Sequence, residues 1–227
     1  MIPWLDPNDD SKPFPDVESA LSEPDGLLAA GGSLRPERLL LAYHCGIFPW
    51  FNKGEPILWW CPSQRAIIYP DRIHISRSLQ RLIRKQPFTI TRNKAFREVM
   101  LGCAEPRKGR KGTWITADML TAYYQLFKLG YAHSVECWQD GKLAGGIYGV
   151  QLGHVFFGES MFSRVTNASK IALIEIARQK NVALIDCQLP NDHLTRMGMT
   201  TLPRQQFIKL VSKYCTVPNP LTSNTIF

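Results

Sequence analysis

Two acids interrupt apolar runs in this sequence, each at a point where chemistry could be done. In His154-Val155-Phe156-Phe157-Gly158-Glu159-Ser160-Met161-Phe162, Glu159 follows a strand-like run and a glycine. In Val182-Ala183-Leu184-Ile185-Asp186-Cys187-Gln188, Asp186 closes another such run. An ionised carboxylate is costly to bury without a partner. Each acid therefore pairs with a fixed group or awaits a cation that arrives. The plain reading pairs Glu159 with Arg164 and has Asp186 cap the turn that follows it. The functional reading starts from strand ends, where ligands bind in α/β folds. Gln188, two residues after Asp186, shares its face if the strand continues. Two carboxylates and an amide at the ends of central strands suit recognition of an amine or cation. Glu159, Asp186 and Gln188 are accordingly the candidate catalytic residues.

Apolar and basic residues are grouped around these positions. Trp50, Trp114, Met161 and Phe162 are each as readily plain core, but together they can line an apolar side-chain pocket. Arg77, Arg81, Arg84 and Lys85 form one stripe of an expected helix from His74 to Lys85, with Ile75, Leu79, Leu82 and Ile83 on another. No acid occurs from Ile73 to Ala95, so the stripe reads as a phosphate-contacting surface rather than a mixed-sign solvated face. A second basic run, Arg107-Lys108-Gly109-Arg110-Lys111, lacks the G-x-x-x-x-G-K-[ST] pattern of a phosphate loop.

The elements that must hold these residues follow from periodicity and punctuation. Residues 26–32 read as a buried strand, Ser33 as the cap of a helix with Pro36 in its first turn, and 57–60 and 66–69 as strands. After a break at Pro70-Asp71 come the basic helix, a strand at 88–91, a helix capped by Asn93, and a helix capped by Thr116 that stops at Gly130. Three strands then form a meander, its first hairpin turning at Asp140-Gly141. A helix capped by Asn167 leads to a strand at 181–187, and short helices are expected near 192–197 and 203–214. A helix joining a meander to one further strand implies a parallel crossover. That order is the organisation of the acetyltransferase-like, or GNAT, fold. The expectation is an α/β (α+β) chain: a small N-terminal α/β domain, residues 1–72, followed by a GNAT-like acyltransferase domain, residues 73–227.

Bulk properties narrow the function classes. The 227 residues carry 27 Lys and Arg against 19 Asp and Glu, a net charge of +8 that favours a polyanionic partner. No apolar run approaches the roughly 20 residues that span a bilayer. The start, MIPWLDPNDD, has no basic or apolar leader pattern, so a cytoplasmic protein is expected. The six cysteines are scattered without a C-x-x-C pair or a histidine at zinc spacing, which predicts reduced thiols and no metal site. No glycine has Gln or Arg three residues before it, so the [Q/R]-x-x-G-x-[G/A] loop needed for acetyl-CoA is missing. A donor carried on nucleic acid suits the basic surface better.

The segments PDGLLAAGGSL, AYHCGIFPWF, ILWWCPSQRA, HISRSL, GTWIT, GGIYGV, FFGESMFS, NASKIAL and LIDCQLPNDH run colinearly from about residue 24 to residue 193. Through them the chain resembles the leucyl/phenylalanyl-tRNA–protein transferase family. The resemblance implies transfer of Leu, Phe or Met from aminoacyl-tRNA to the α-amino group of proteins beginning with Arg or Lys, marking them for N-end-rule degradation. It implies no metal or soluble cofactor. Trp50, Trp114 and Met161 would line the aminoacyl pocket, with Phe162 beside them and Ile147 as a wall where relatives often have Met. Asp186 and Gln188 would hold the attacking amine and pass on its proton, and Glu159 would orient the polar end of the substrates. The stripe from Arg77 to Lys85 would grip the acceptor stem. A monomer is expected, because no heptad or large exposed apolar face appears. The competing readings are an RNA-binding protein without catalysis and a GNAT acyltransferase using another small donor.

Overall fold

Two sheets organise the chain. The computed structural model describes residues 2–106 and 113–215; the basic run at 107–111 lies outside them. The smaller sheet holds β1 (Trp4–Leu5), β2 (Leu27–Gly31), β3 (Phe48–Pro49) and β4 (Leu58–Trp60) in the order β1-β2-β4-β3. β2 is buried along its whole length, as its unbroken apolar run predicts. Helix α1 (Pro36–His44) leads from β2 to β3. Proline opens it, but Ser33 is not its cap: the Ser33 hydroxyl donates to the Asp10 carboxylate and accepts from the Arg35 amide, and Arg35 holds the cap position without a side-chain bond.

The larger sheet contains β5 (Gln64–Ile68), β6 (Thr89–Arg92), β7 (Ala132–Gln139), β8 (Lys142–Leu152), β9 (Val155–Ser163), β10 (Leu184–Gln188) and β11 (Thr200–Pro203). Their order is β11-β5-β10-β9-β8-β7-β6. β7, β8 and β9 form the expected antiparallel meander, and Asp140 and Gly141 turn its first hairpin with φ of 51° and 72°. Helix α5 (Ala168–Ala177) then carries the chain to β10, which pairs parallel with β9. This crossover gives the C-terminal part its GNAT-like organisation. β5 pairs with both β10 and β11, so the two sheets part between Trp60 and Gln64, ahead of the boundary expected at residue 72. Arg65 through Ile68 are buried, which suits an interior strand of the larger sheet. β11 is not legible in the sequence: it is a mostly exposed edge strand with no apolar alternation, and it ends in a proline, which an edge tolerates.

Helices cover both faces. One apolar cluster unites α1, α3 (Phe96–Ala104), α4 (Ala117–Lys128) and α7 (Arg204–Tyr214) with one face of the larger sheet. A second unites α2 (Arg77–Arg84), α5 and α6 (Asp192–Thr195) with the other. α2 begins later than the sequence suggests, at Arg77, because the Ser76 side chain accepts from the Leu79 amide. α4 begins as expected, with Thr116 accepting from the Met119 amide. Asn93 and Asn167 are not side-chain caps. Both adopt left-handed backbone, which asparagine tolerates. Asn93 instead accepts from the Ser134 amide and so ties its loop to β7, and α3 starts at Phe96. At α5 the capping oxygen comes from the preceding strand: Ser163 accepts from the Ser169 amide. α3 packs closely because residue 102 is glycine; a Cβ there would lie 2.5 Å from the Phe162 ring.

Candidate active site

The site opens where β9 and β10 diverge. They pair only through Phe157 and Asp186. Beyond that point β10 shifts register against β5, and Gln188 takes a left-handed φ of 54° while β9 runs on to Ser163. Non-glycine residues seldom hold this conformation, and they do so chiefly where surrounding contacts impose it. The gap between the strands is a cleft of about 920 Å³, walled on its other sides by the start of α5 and by α6. Glu159, Asp186, Gln188, Ile147, Met161 and Phe162 all line it.

Glu159 reaches its place by a bulge. Tyr148 pairs with Ser160 and Gly149 with Gly158, so Glu159 is an extra residue with no partner on β8. Its carboxylate receives the Tyr43 hydroxyl of α1 at 2.7 Å and the Tyr123 hydroxyl of α4 at 2.9 Å. The two hydroxyls also bond each other. Burial raises the Glu159 carboxyl from its ordinary 4.5 to about 7, against the pull of the two hydroxyls. Burial first, then the charge of Glu159, holds both tyrosines well above their usual value, so they keep their protons. Two hydroxyls carry two hydrogens, so all three contacts form together only when the carboxyl is protonated and donates to one tyrosine; with Glu159 ionised, both hydroxyls point to it and the Tyr43–Tyr123 contact has no hydrogen. Arg164 is not its partner; it pairs with Glu105 and donates to the Leu143 carbonyl.

Asp186 is held by a residue that sequence reasoning missed. Arg65 on β5 donates to its two oxygens, Nε to Oδ1 and Nη2 to Oδ2, at 2.7 Å each. Both side chains are withdrawn from solvent, and the guanidinium lies 4.6 Å from the ring centroids of both Phe48 and Phe207. Burial opposes the charge on Arg65, but the facing carboxylate outweighs it and holds the guanidinium above its ordinary value. The available signal was Arg65 itself, a cation heading the apolar run Ala66-Ile67-Ile68, an anomaly of the same kind as the acids. Gln188 completes the arrangement, its amide N–H 3.0 Å from Asp186 Oδ1 and its Nε2 3.4 Å from Oδ2.

The apolar candidates divide. Ile147 and Met161 are directly paired across β8 and β9 and belong to the cluster on the α5 face. The Phe162 ring belongs to the opposite cluster, against Gly102 and beneath the Arg164 guanidinium. Trp50 is 42% exposed, with its ring 5.7 Å from that of Trp60, whose Nε1 donates to the Trp50 carbonyl. Trp114 is half-buried beside the α4 core. Neither tryptophan lines the cleft. Arg77, Arg81, Arg84 and Lys85 are all exposed on α2, outside the cleft but over the same sheet face.

Comparison with known proteins gives concordant matches. The family model described as leucyl/phenylalanyl-tRNA protein transferase matches residues 67–212, and that of the N-terminal domain matches residues 32–63. A leucyl/phenylalanyl-tRNA–protein transferase of Stutzerimonas stutzeri is 50% identical over 222 residues, 96% of this chain and 97% of its own. One from Nitrosomonas eutropha is 54% identical over 209 residues, 91% of this chain and 89% of its own. Among solved structures, a GCN5-related N-acetyltransferase from Kribbella flavida is similar over 74% of this chain and 61% of its own, with 11% identity and a TM-score of 0.38. That distance carries no argument, and the fold assignment rests on the strand order.

Proposed function

The chain belongs to the leucyl/phenylalanyl-tRNA–protein transferase family, and from that premise we propose how its cleft divides the work. The reaction class is aminoacyl transfer from tRNA to protein. The donor is an ester of the terminal ribose. The acceptor nitrogen attacks the ester carbonyl carbon, a C–N bond forms, the bond between that carbon and the ribose oxygen breaks, and the freed ribose oxygen takes the proton that the amine gives up as the amide forms. The ester is already activated, so the protein's tasks are positioning and proton management.

The acceptor is a protein whose N-terminal residue is Arg or Lys, and Glu159 meets its ammonium group. A carboxyl that titrates near 7 can take up the amine's proton at neutral pH. Asp186 is a positioning residue, because its charge is already matched by Arg65 and its side chain is fully buried. It orients Gln188, whose Nε2 faces Asp186 and whose carbonyl oxygen is left to accept from the attacking nitrogen. Ile147 and Met161 contact the aminoacyl side chain. An apolar wall of this kind discriminates by only about 1–3 kcal/mol per methylene, which admits Leu, Phe and Met together. Trp50 and Trp114 lie outside the cleft and have no part in it, while Arg77, Arg81, Arg84 and Lys85 hold the acceptor stem by its phosphates. The protein works as a monomer in the cytoplasm, where charged tRNA is found; among the described residues no helix is long and apolar enough to cross a membrane.

The observation that carries this reading is that Glu159, Asp186 and the Ile147–Met161 pair share one cleft. The test is transfer of labelled Phe from Phe-tRNA to a peptide beginning with Arg. Transfer by the wild-type protein, reduced strongly in Gln188→Ala, is expected. Absence of transfer by the wild type rules the reading out, and full activity of Gln188→Ala removes Gln188 from the reaction.

A further inference from the structure

The cleft has basic groups on one side and two acids, one of them already matched by Arg65, on the other. Glu159 and Asp186 lie where β9 and β10 diverge, while Lys170 of α5, His193 of α6 and Arg196 just after α6 line the wall across from them. Asp192 also lines that wall, yet neither Lys170 nor Arg196 makes an ion pair with any acid among the described residues. The His193 Nε2 is buried and has no hydrogen-bond partner among them. Burial, then Lys170 and Arg196, lower the His193 imidazole from its ordinary value, so it sits neutral between two uncompensated cations. An arrangement that keeps two cations and an unpartnered imidazole together suits an anion that supplies the missing charge and the missing hydrogen bond.

The wall also continues the basic surface. The His74 amide donates to the Met197 carbonyl at 2.9 Å, and a Cβ at Gly198 would lie 2.7 Å from the Arg72 carbonyl oxygen. The chain entering α2 is therefore packed on the chain leaving α6. Leu79 of α2 shares an apolar cluster with Leu194 and Met197. A polyanion bound along Arg77, Arg81 and Arg84 would lie on the same face of the larger sheet as the cleft wall that carries Arg196 and Lys170. The cleft volume of about 920 Å³ is near the top of the roughly 300–1,000 Å³ range of small-molecule sites. It leaves room for a terminal nucleotide beside the aminoacyl group.

We infer that Lys170, His193 and Arg196 form a phosphate site that holds the phosphodiester joining the last two nucleotides of the aminoacyl-tRNA. The inference rests on the transferase reading of the same cleft and adds a site within it. It fixes the donor at a point beyond the ester, so that the carbonyl presents itself to Gln188 and Glu159. The acceptor stem and the chain end are then held by separate groups of cations.

Three donors separate these contacts: Phe-tRNA, a phenylalanyl cytidylyl-adenosine dinucleotide that keeps one phosphodiester, and phenylalanyl-adenosine, which has none. Lys170→Ala, Arg196→Ala and His193→Ala are expected to raise KM roughly tenfold for the first two donors, the effect of losing one charge-assisted hydrogen bond. They should leave phenylalanyl-adenosine unchanged, which also shows that the variants fold. Arg77→Ala should impair only Phe-tRNA. Equal losses on all three donors, or no loss on the dinucleotide, overturn the phosphate site while leaving the transferase reading intact. No transfer from any donor by the wild-type protein overturns both.

Discussion

Arg65 and Asp186 form a buried two-pronged pair that joins β5 to β10, with both contacts at 2.7 Å. The guanidinium is stacked between Phe48 of β3 and Phe207 of α7. One ion pair therefore links the smaller sheet, the larger sheet and the last described helix beneath the cleft. Removing either partner strands the other charge. Arg65→Ala is expected to cost about 3–5 kcal/mol, and Arg65→Met with Asp186→Leu to recover most of that loss. Urea unfolding measures both. A double variant no more stable than Arg65→Ala would show that the charges are not the source of the cost.

Glu159 makes stability depend on pH in a defined direction. Its carboxyl titrates at 4.5 in the ordinary state and at about 7 in the fold. Between those values the folded protein keeps a proton that the unfolded chain has lost. Stability therefore falls as pH rises through this window, by about 3 kcal/mol, and the Glu159 contribution is level on either side. Glu159→Gln carries no titrating proton, so it should gain relative to wild type by that amount between pH 4.5 and 8. Unfolding curves that stay parallel across this range would place the Glu159 carboxyl in its ordinary range.

The same substitution tests the chemistry. With Gln at 159 the group proposed to take the amine's proton is gone, while the hydrogen bonds to Tyr43 and Tyr123 can largely remain. Losing an acid–base group typically slows turnover by roughly two to four orders of magnitude, and Glu159→Gln is expected to fall in that range. The slowing should come with loss of the inflection near pH 7 in the rate profile. An unchanged profile would assign that inflection elsewhere.

Gly102 offers a test of packing at the back of the site. Alanine in a helix interior is favoured over glycine by about 1 kcal/mol. At residue 102 its Cβ would lie 2.5–2.8 Å from three atoms of the Phe162 ring, which is 4% exposed and topped by Arg164. Overpacking of this kind costs about 1–3 kcal/mol, so Gly102→Ala is expected to destabilise. Phe162→Leu in the same chain should relieve part of the loss. A more stable Gly102→Ala would mean that the ring moves aside freely.

The exposed cations of α2 predict a change in salt response. Each phosphate contact contributes about 0.9 to the slope of log K against log salt for a duplex. Arg77→Ala with Arg81→Ala should lower the slope for tRNA binding by roughly two units and weaken binding at low salt. Filter binding at several salt concentrations measures it, and an unaltered slope would move the stem to another surface.

Much of the fold was legible because it depends on short-range pattern. The meander, its Asp140-Gly141 turn, the crossover through α5 and the Thr116 cap all follow from alternation, glycine and hydroxyl placement. The misread caps have a common cause. Ser33 and Asn93 have the chemistry of a cap, but a distant partner, Asp10 or the Ser134 amide, engages each side chain; Asn167 does hold the cap position of α5, yet the nearby Ser163 supplies the capping oxygen. β11 had no signal of its own, because an edge strand is defined by the neighbour it pairs with.

The site divides along the same line. Residue type pointed to Glu159, Asp186, Gln188 and Met161, since a charge in an apolar run demands an explanation and a strand end is a common place to find one; Ile147 came only from the family resemblance, and all five line one cleft. Their partners lie far away in sequence: Arg65 is 121 positions from Asp186, and Tyr43 is 116 from Glu159. Whether an acid is matched by an internal cation or left close to neutral depends on which groups the folded chain brings within hydrogen-bonding reach. Local sequence can mark a carboxylate as unusual. Only the tertiary structure, by pairing Arg65 with one acid and burying the other beside two tyrosines, decides which carboxylate is matched by an internal cation and which is raised by burial to about 7.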